Sequence, residues 1–328
     1  MKQIVAATLG VVLAAVALAG AALTGGLVGF AAGAAAGAAA SWSAGPPERH
    51  ISGGGPDKIV VVRVIGPLTR EEGVGPFFGG AASRRIVQLL DRAQQDPEAR
   101  AVILELDTPG GSIVASDEIH RKVTAVRRAG KPVVALMTET AASGGYYIAA
   151  GADSIVADPT TITGSIGVIV ALPNIEELGR KIGIRTVVFK SGAFKDLGNP
   201  TRRMTPAEAA IFQRLVDEAY ERFVGIVAQG RRMDPARVRR LADGRVYTGQ
   251  QAHRLGLVDI LGHLPEAVAE ALRRAGLREA RVVEYGTEGL LRGLLGWTGH
   301  RLRVWLPGPA DIVPGPGAPF RLQYLMVP

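Results

Sequence analysis

The chain has 328 residues, a formal net charge of +8 and no cysteine. Its length suits one large domain or two small ones, and the lack of cysteine excludes disulfides, a thiol nucleophile and any Cys-based metal site. The 38 basic residues are spread along the chain without an aromatic-interleaved basic run, and basic pairs such as Arg202-Arg203, Arg231-Arg232 and Arg239-Arg240 read as solvated helix faces. That argues against nucleic acid as a partner and leaves only a weak attraction to anionic lipid headgroups.

After Lys2 no charged residue appears until Glu48. Ile4 to Leu23 is rich in Val, Leu and Ala and has the length to span a bilayer. Gly25, Gly29, Gly33 and Gly37 then repeat a small-residue spacing that lets membrane helices approach closely. The apolar stretch outruns the core of a cleavable signal peptide, so residues 1–41 are expected to form an uncleaved anchor in contact with membrane lipid. Residues 42–57, with Gly-Pro-Pro and Gly-Gly-Gly-Pro, read as a linker.

A globular pattern begins at Lys58 and is expected to run to residue 285. Ile59–Ile65 reads as a strand, Ser83–Gln95 as an amphipathic helix and Ala101–Leu106 as a strand. The turn Asp107–Gly111 leads into a helix ending near Arg128. Pro132–Met137 is a further strand, feeding a Gly-rich turn at Ser143 and a short helix. Strands follow at Ser154–Ala157 and Thr186–Phe189, separated by a helix at Ile175–Lys181. Thr205-Pro206-Ala207-Glu208 opens a long helix to Gln229, with a cap, a proline in the first turn and a Glu three residues on. Strands alternating with helices predict an α/β fold with parallel pairing. Residues 286–328 are a Pro/Gly-rich extension, a tail or an extended arm.

Four short segments can carry chemistry. Gly110 and Gly111, in Asp107-Thr108-Pro109-Gly110-Gly111-Ser112, lie between a strand and a helix and can turn N–H groups toward a developing oxyanion. Ser143 sits in Ala142-Ser143-Gly144-Gly145, where small neighbours expose a hydroxyl and the Gly144 N–H offers a second donor. This is not the Gly-x-Ser-x-Gly elbow of the α/β hydrolases. Ser165, in Thr163-Gly164-Ser165-Ile166-Gly167, can orient an amine. Lys195, 52 residues after Ser143, lies in Lys190-Ser191-Gly192-Ala193-Phe194-Lys195-Asp196. A desolvated neutral lysine can replace histidine as the base for a serine nucleophile, although Asp196 beside it would oppose that. Taken singly, each has an ordinary reading: a Pro-Gly-Gly turn, a helix-capping serine, a Gly-rich loop, a surface lysine.

Taken in order and spacing, they are specific. With Gly244-Arg245-Val246-Tyr247-Thr248-Gly249 and Leu255-Gly256-Leu257-Val258-Asp259 they extend, in order and spacing, over roughly residues 58–265, most of the globular part. The chain resembles the signal peptide peptidase A family of membrane-bound serine–lysine proteases, in its short single-domain form. The resemblance implies a Clp protease/crotonase-like β/α superhelix behind the membrane segment. It implies Ser143 as nucleophile, Lys195 rather than Lys190 as base, Ser165 orienting that lysine, and Gly110 or Gly111 with Gly144 as oxyanion donors. It further implies an extracytoplasmic domain, homo-oligomerisation, and signal peptides or other extended peptides as substrates. A crotonase-like acyl-CoA enzyme would share the fold and the Gly-Gly turn without needing Ser143 or Lys195, and a non-catalytic scaffold would need neither. The five histidines lie outside these motifs without metal-ligand spacing, and no P-loop occurs, so no cofactor or metal is expected.

Overall fold

The structure, a computed structural model, describes residues 48–70, 81–286 and 323–325. The chain divides into two units, residues 49–285 with 304–328 and residues 1–48 with 286–303. Apart from Glu48 and Gly286, everything described belongs to the first unit. The anchor expected within residues 1–41 lies outside the described residues. Among the described residues no helix is long and apolar enough to cross a membrane.

In chain order the elements begin with β1 (Glu48–Ser52), β2 (Lys58–Ile65), β3 (Leu68–Thr69), β4 (Ala81–Ala82) and α1 (Ser83–Gln95). The centre of the chain forms β5 (Ala99–Thr108), β6 (Gly110–Ser112), α2 (Ile113–Arg128), β7 (Val133–Ala142), α3 (Gly144–Ala149), β8 (Ser154–Ala157) and β9 (Ile162–Gly164). Then come α4 (Glu176–Lys181), α5 (Pro206–Arg231), α6 (Pro235–Leu241), β10 (Val246–Thr248), α7 (Gly249–Leu255) and β11 (Ile260–Leu261). The last are α8 (Leu264–Ala275), β12 (Arg281–Tyr285) and β13 (Gln323–Leu325).

The main sheet runs β1-β12-β2-β5-β7-β8-β11, and every pairing from β12 to β11 is parallel. Near-continuous apolar runs such as Ile59–Val62 and Ala101–Leu104 suit strands buried on both faces. Alternate side chains serve opposite layers. Val60, Val62, Val102 and Leu104 pack toward α1, α2, α3 and α5, whereas Ile59, Val61, Ala101 and Ile103 pack toward α8. The α1 helix turns Ile86, Leu89, Leu90 and Ala93 to this core at helical spacing. A smaller sheet, β13-β6-β3-β4, lies beyond the C-terminal end of β5. Here β6 pairs parallel with β3 and antiparallel with β13.

The mixed α/β class is as expected, but three segments differ. Residues 48–52 of the expected linker form β1, which covers the β12 edge that would otherwise leave backbone groups unpaired. Gly110–Ser112 is a paired strand rather than only a turn. Thr186–Phe189 makes no strand, because no neighbouring strand lies beside it. Residues 180–195 are all exposed, including Ile182, Ile184, Val187 and Phe189.

Candidate active site

Strand β7 delivers Ser143 to the first turn of α3 with φ 53° and ψ −112°. Among the described non-glycine residues, only Ser143, Ser165 and Arg232 have positive φ. Such backbone costs about 1–3 kcal/mol and persists where its surroundings over-determine it. Two of the three are residues singled out from the sequence for their chemistry. Although Gly-x-Ser-x-Gly is absent, the backbone makes the same kind of strained strand-to-helix turn.

One peptide unit clamps both serines. The Gly164 carbonyl accepts the Ser143 N–H at 2.8 Å, and the N–H of that peptide, on Ser165, donates to the Arg245 carbonyl at 2.8 Å. The antiparallel β9–β10 ladder, with Gly164 opposite Val246, holds this unit in place. Ser143 is 1% exposed, and its Oγ has no hydrogen-bond partner. A buried hydroxyl is normally satisfied, so an orphaned one at a strained turn calls for a role.

Gly144 brings the start of α3 against β6. A Cβ at this position would lie 2.5 Å from Ser116 Oγ and 3.2 Å from the Gly110 Cα, so only glycine permits the approach. Two tyrosines then anchor α3. Tyr146 OH donates to the Leu257 carbonyl at 2.9 Å, and Tyr147 OH donates to Asp117 Oδ1 at 2.8 Å. Burial works against the Asp117 carboxylate, but hydrogen bonds from Arg222 and Tyr147 hold it below its usual range. Burial, reinforced by Asp117, pushes the Tyr147 phenol up.

The fold therefore brings Ser143, Gly144, Gly110 and Ser165 together. Gly110 has φ 96°, and its N–H donates to Thr108 Oγ1 at 3.1 Å, so this expected oxyanion donor is already engaged. Gly111, with φ 152°, packs against the Leu68 backbone so closely that a Cβ would collide with it. Lys195 is not brought to Ser143: it is exposed, and the Ser143 Oγ has no partner. Nor does Asp196 hold Lys195. Its carboxylate is taken by Arg202 Nε at 2.9 Å and Lys190 Nζ at 2.6 Å.

Residues 125–278 match Peptidase family S49. A protein of Enterococcus faecium, provisionally named signal peptide peptidase SppA, is 36% identical over 262 residues, covering 79% of this chain and 75% of that one. The chain belongs to peptidase family S49. The chloroplastic serine protease SPPA of Arabidopsis thaliana is 35% identical over 226 residues, 68% of this chain and 33% of the relative. Protease 4 of Haemophilus influenzae is 37% identical over 235 residues, 70% of this chain and 37% of the relative. The S49 match contains Ser143, Ser165 and Lys195, whereas Gly110 and Gly111 precede it.

Three contributors to the candidate site escaped the sequence reading. Thr108 engages Gly110, the Arg245 carbonyl fixes Ser165, and Arg202 neutralises both Asp196 and Glu208. Arg202 reads from the sequence as half of a basic pair on a solvated helix face; instead it lies in the loop before α5. Its side chain is 30% exposed and locks the Glu208 of the α5 capping box to the segment bearing Lys195. Arg231, read in the same way, keeps only 8% of its side chain exposed and pairs with Asp259.

Proposed function

We propose that this S49 serine protease is an endopeptidase in which Ser143 is the nucleophile and Lys195 the general base. The observation that carries the reading is the Ser143 hydroxyl, buried and unpartnered at a strained turn against the glycines of β6. Attack on a peptide carbonyl would place the tetrahedral oxygen near the N–H of Gly144 and the backbone of Gly110–Gly111. The base takes the serine proton and returns it to the leaving amine.

A single chain keeps Lys195 away from Ser143, so we assign the completed dyad to two neighbouring copies, with Ser165 orienting the incoming amine. The segment bearing Lys195 is exposed and apolar, with Phe189 at 93% exposure and Ile182, Ile184, Val187 and Phe194 also open to solvent. Such a strip favours a partner surface. Covering it with a second copy would also desolvate the amine, the physical route by which a lysine becomes a base near neutral pH.

In this reading the layered α/β body is a Clp protease/crotonase-like superhelix. Residues 1–41 anchor it to the membrane and the catalytic domain lies outside the cytoplasm. The substrates are residual signal peptides and other extended hydrophobic peptides, because an enclosed assembly admits extended chains and excludes folded ones. A serine-reactive fluorophosphonate should label the intact protein at Ser143 and leave Ser143→Ala unlabelled. Equal labelling of both proteins would remove Ser143 as nucleophile.

A further inference from the structure

Ser143 and Ser165 are two of the three strained non-glycine positions; Arg232 is the third, and it has no part in the serine turn. It caps α5 with φ 51° and ψ 44°, the left-handed conformation that glycine usually supplies at a helix end. A guanidinium held on a strained backbone calls for a use. Arg232 lines a cleft of 760 Å³, large enough for a small-molecule ligand.

Three helix ends meet at this cleft. The last turns of α2 and α5 bring Arg127, Arg128 and Arg231 beside Arg232, and the last turn of α8 adds Arg274. Arg121 and Arg222 reach it from earlier turns of α2 and α5. The cleft also takes in Ala150–Ala152, at the opposite end of α3 from Ser143. Gly230 lets α5 settle there, since a Cβ on it would lie 2.0 Å from the Ala150 carbonyl oxygen.

Basic side chains at helix C-termini have an ordinary role, because each such end carries about half a negative charge. The charge here exceeds that role. The seven arginines meet four carboxylates: Asp153 pairs with Arg127, Asp259 with Arg231, Glu270 with Arg274, and Asp117 is shared by Arg121 and Arg222. Asp153 and Asp259 also accept the Val133 and Ile155 N–H groups. Arg128 and Arg232 make no ion pair among the described residues. Seven cations against four anions leave three in excess, about twice what three helix ends can offset.

We infer that this cleft binds a phosphate group carrying two negative charges, as a phosphomonoester or a pyrophosphate. Guanidiniums approaching from three helices suit a tetrahedral anion, which accepts hydrogen bonds on several faces. A planar carboxylate can be saturated by a single guanidinium fork. The space beyond one phosphate leaves room for the organic part of the ligand. Two sources share this chemistry: a soluble polyphosphate, and the headgroup of an anionic lipid such as phosphatidic acid.

Isothermal titration calorimetry on the full chain in nonionic detergent tests the site. Inorganic pyrophosphate stands for the soluble source, and dihexanoyl phosphatidic acid, below its micelle-forming concentration, for the headgroup. At least one should bind, and the tighter of the two identifies the source. Arg128→Gln removes an exposed charge, and Arg232→Gly removes a charge while relieving the strained backbone. Each should weaken binding by about tenfold, the effect of one lost charge-assisted contact. Citrate, with three carboxylates, should bind about tenfold more weakly than the better phosphate compound. His120 lines the same cleft, so its ring signals in an isotope-labelled protein should move as that compound is added. No heat with either phosphate compound, unchanged affinity in both variants, or citrate binding as tightly would overturn the inference. Binding that leaves the His120 signals unmoved would place the ligand elsewhere and overturn it as well.

Discussion

Lys190, and not its neighbour in sequence Lys195, neutralises Asp196: its Nζ donates to Asp196 Oδ1 at 2.6 Å. Hydrogen bonds from Arg202 and then Lys190 hold the Asp196 carboxyl far below its usual range. Lys195 makes no ion pair among the described residues, which removes the objection raised by the adjacent carboxylate. Lys195→Ala should therefore lower peptide hydrolysis by roughly three orders of magnitude or more, as loss of either member of a nucleophile–base pair does. Lys190→Ala should keep most of the activity. Steady-state assays on a fluorogenic peptide decide it, and the reverse pattern would make Lys190 the base.

The strain at Ser143 has its own signature. Ser143→Gly should inactivate the enzyme yet stabilise it by about 1 kcal/mol, because glycine adopts φ 53° without penalty. Ser143→Ala keeps the strained backbone and should lack that gain. Urea midpoints of the two variants and the wild type provide the comparison. A glycine variant no more stable than the alanine variant would mean that the turn stores no strain.

His120 should govern part of the acid sensitivity. Its ring packs edge-on to Tyr147 at 5.2 Å, and its Nδ1 has no hydrogen-bond partner. Burial pushes its pKa down from 6.5 to about 4, with Arg222 and Arg127 adding to the effect and Asp117 opposing it. Between those two pH values the unfolded chain binds a proton that the native chain refuses. The stability is complete above about pH 6.5 and is lost as the pH falls toward 4, by roughly 2–3 kcal/mol. His120→Phe keeps the ring packing without the titration, so its urea midpoint should fall less between pH 7 and pH 4.5. Parallel losses in both proteins would assign the acid sensitivity elsewhere.

Two dead proteins should make a live one. Ser143→Ala and Lys195→Ala, dissociated together and reassembled, should regain activity at those interfaces that join an intact serine to an intact lysine. A mass-tagged subunit verifies that exchange took place. Full exchange without recovered hydrolysis would place the complete dyad within each copy.

Much of the fold is legible in the sequence because local pattern and tertiary role agree. The apolar spacing of Ile86, Leu89, Leu90 and Ala93 marks α1, and Thr205 and Glu208 mark the start of α5 through reciprocal capping. Gly144 is legible as a close-approach position, though not what it approaches. Val187, Val188 and Phe189 mislead for a physical reason: strand preference expresses fit to a pleated neighbour, and one chain supplies none there. Gly110–Ser112 reads as a turn because its partners, Leu68 and Gln323–Leu325, are distant in sequence. Arg202 is hidden for the same reason, since a basic pair does not reveal which carboxylates will surround it.

The exposed run at residues 180–195 carries a consequence for how such an enzyme is governed in the cell. If its catalytic amine is useful only when delivered to another copy, an isolated molecule is inert, however well folded. Hydrolysis would then depend steeply on the local concentration of copies, through the mass-action law that governs any assembly. A newly made copy, sparse among other proteins, would cut nothing on its way to its place of work. Dilution would serve as the safety catch, with no inhibitor or removable propeptide required.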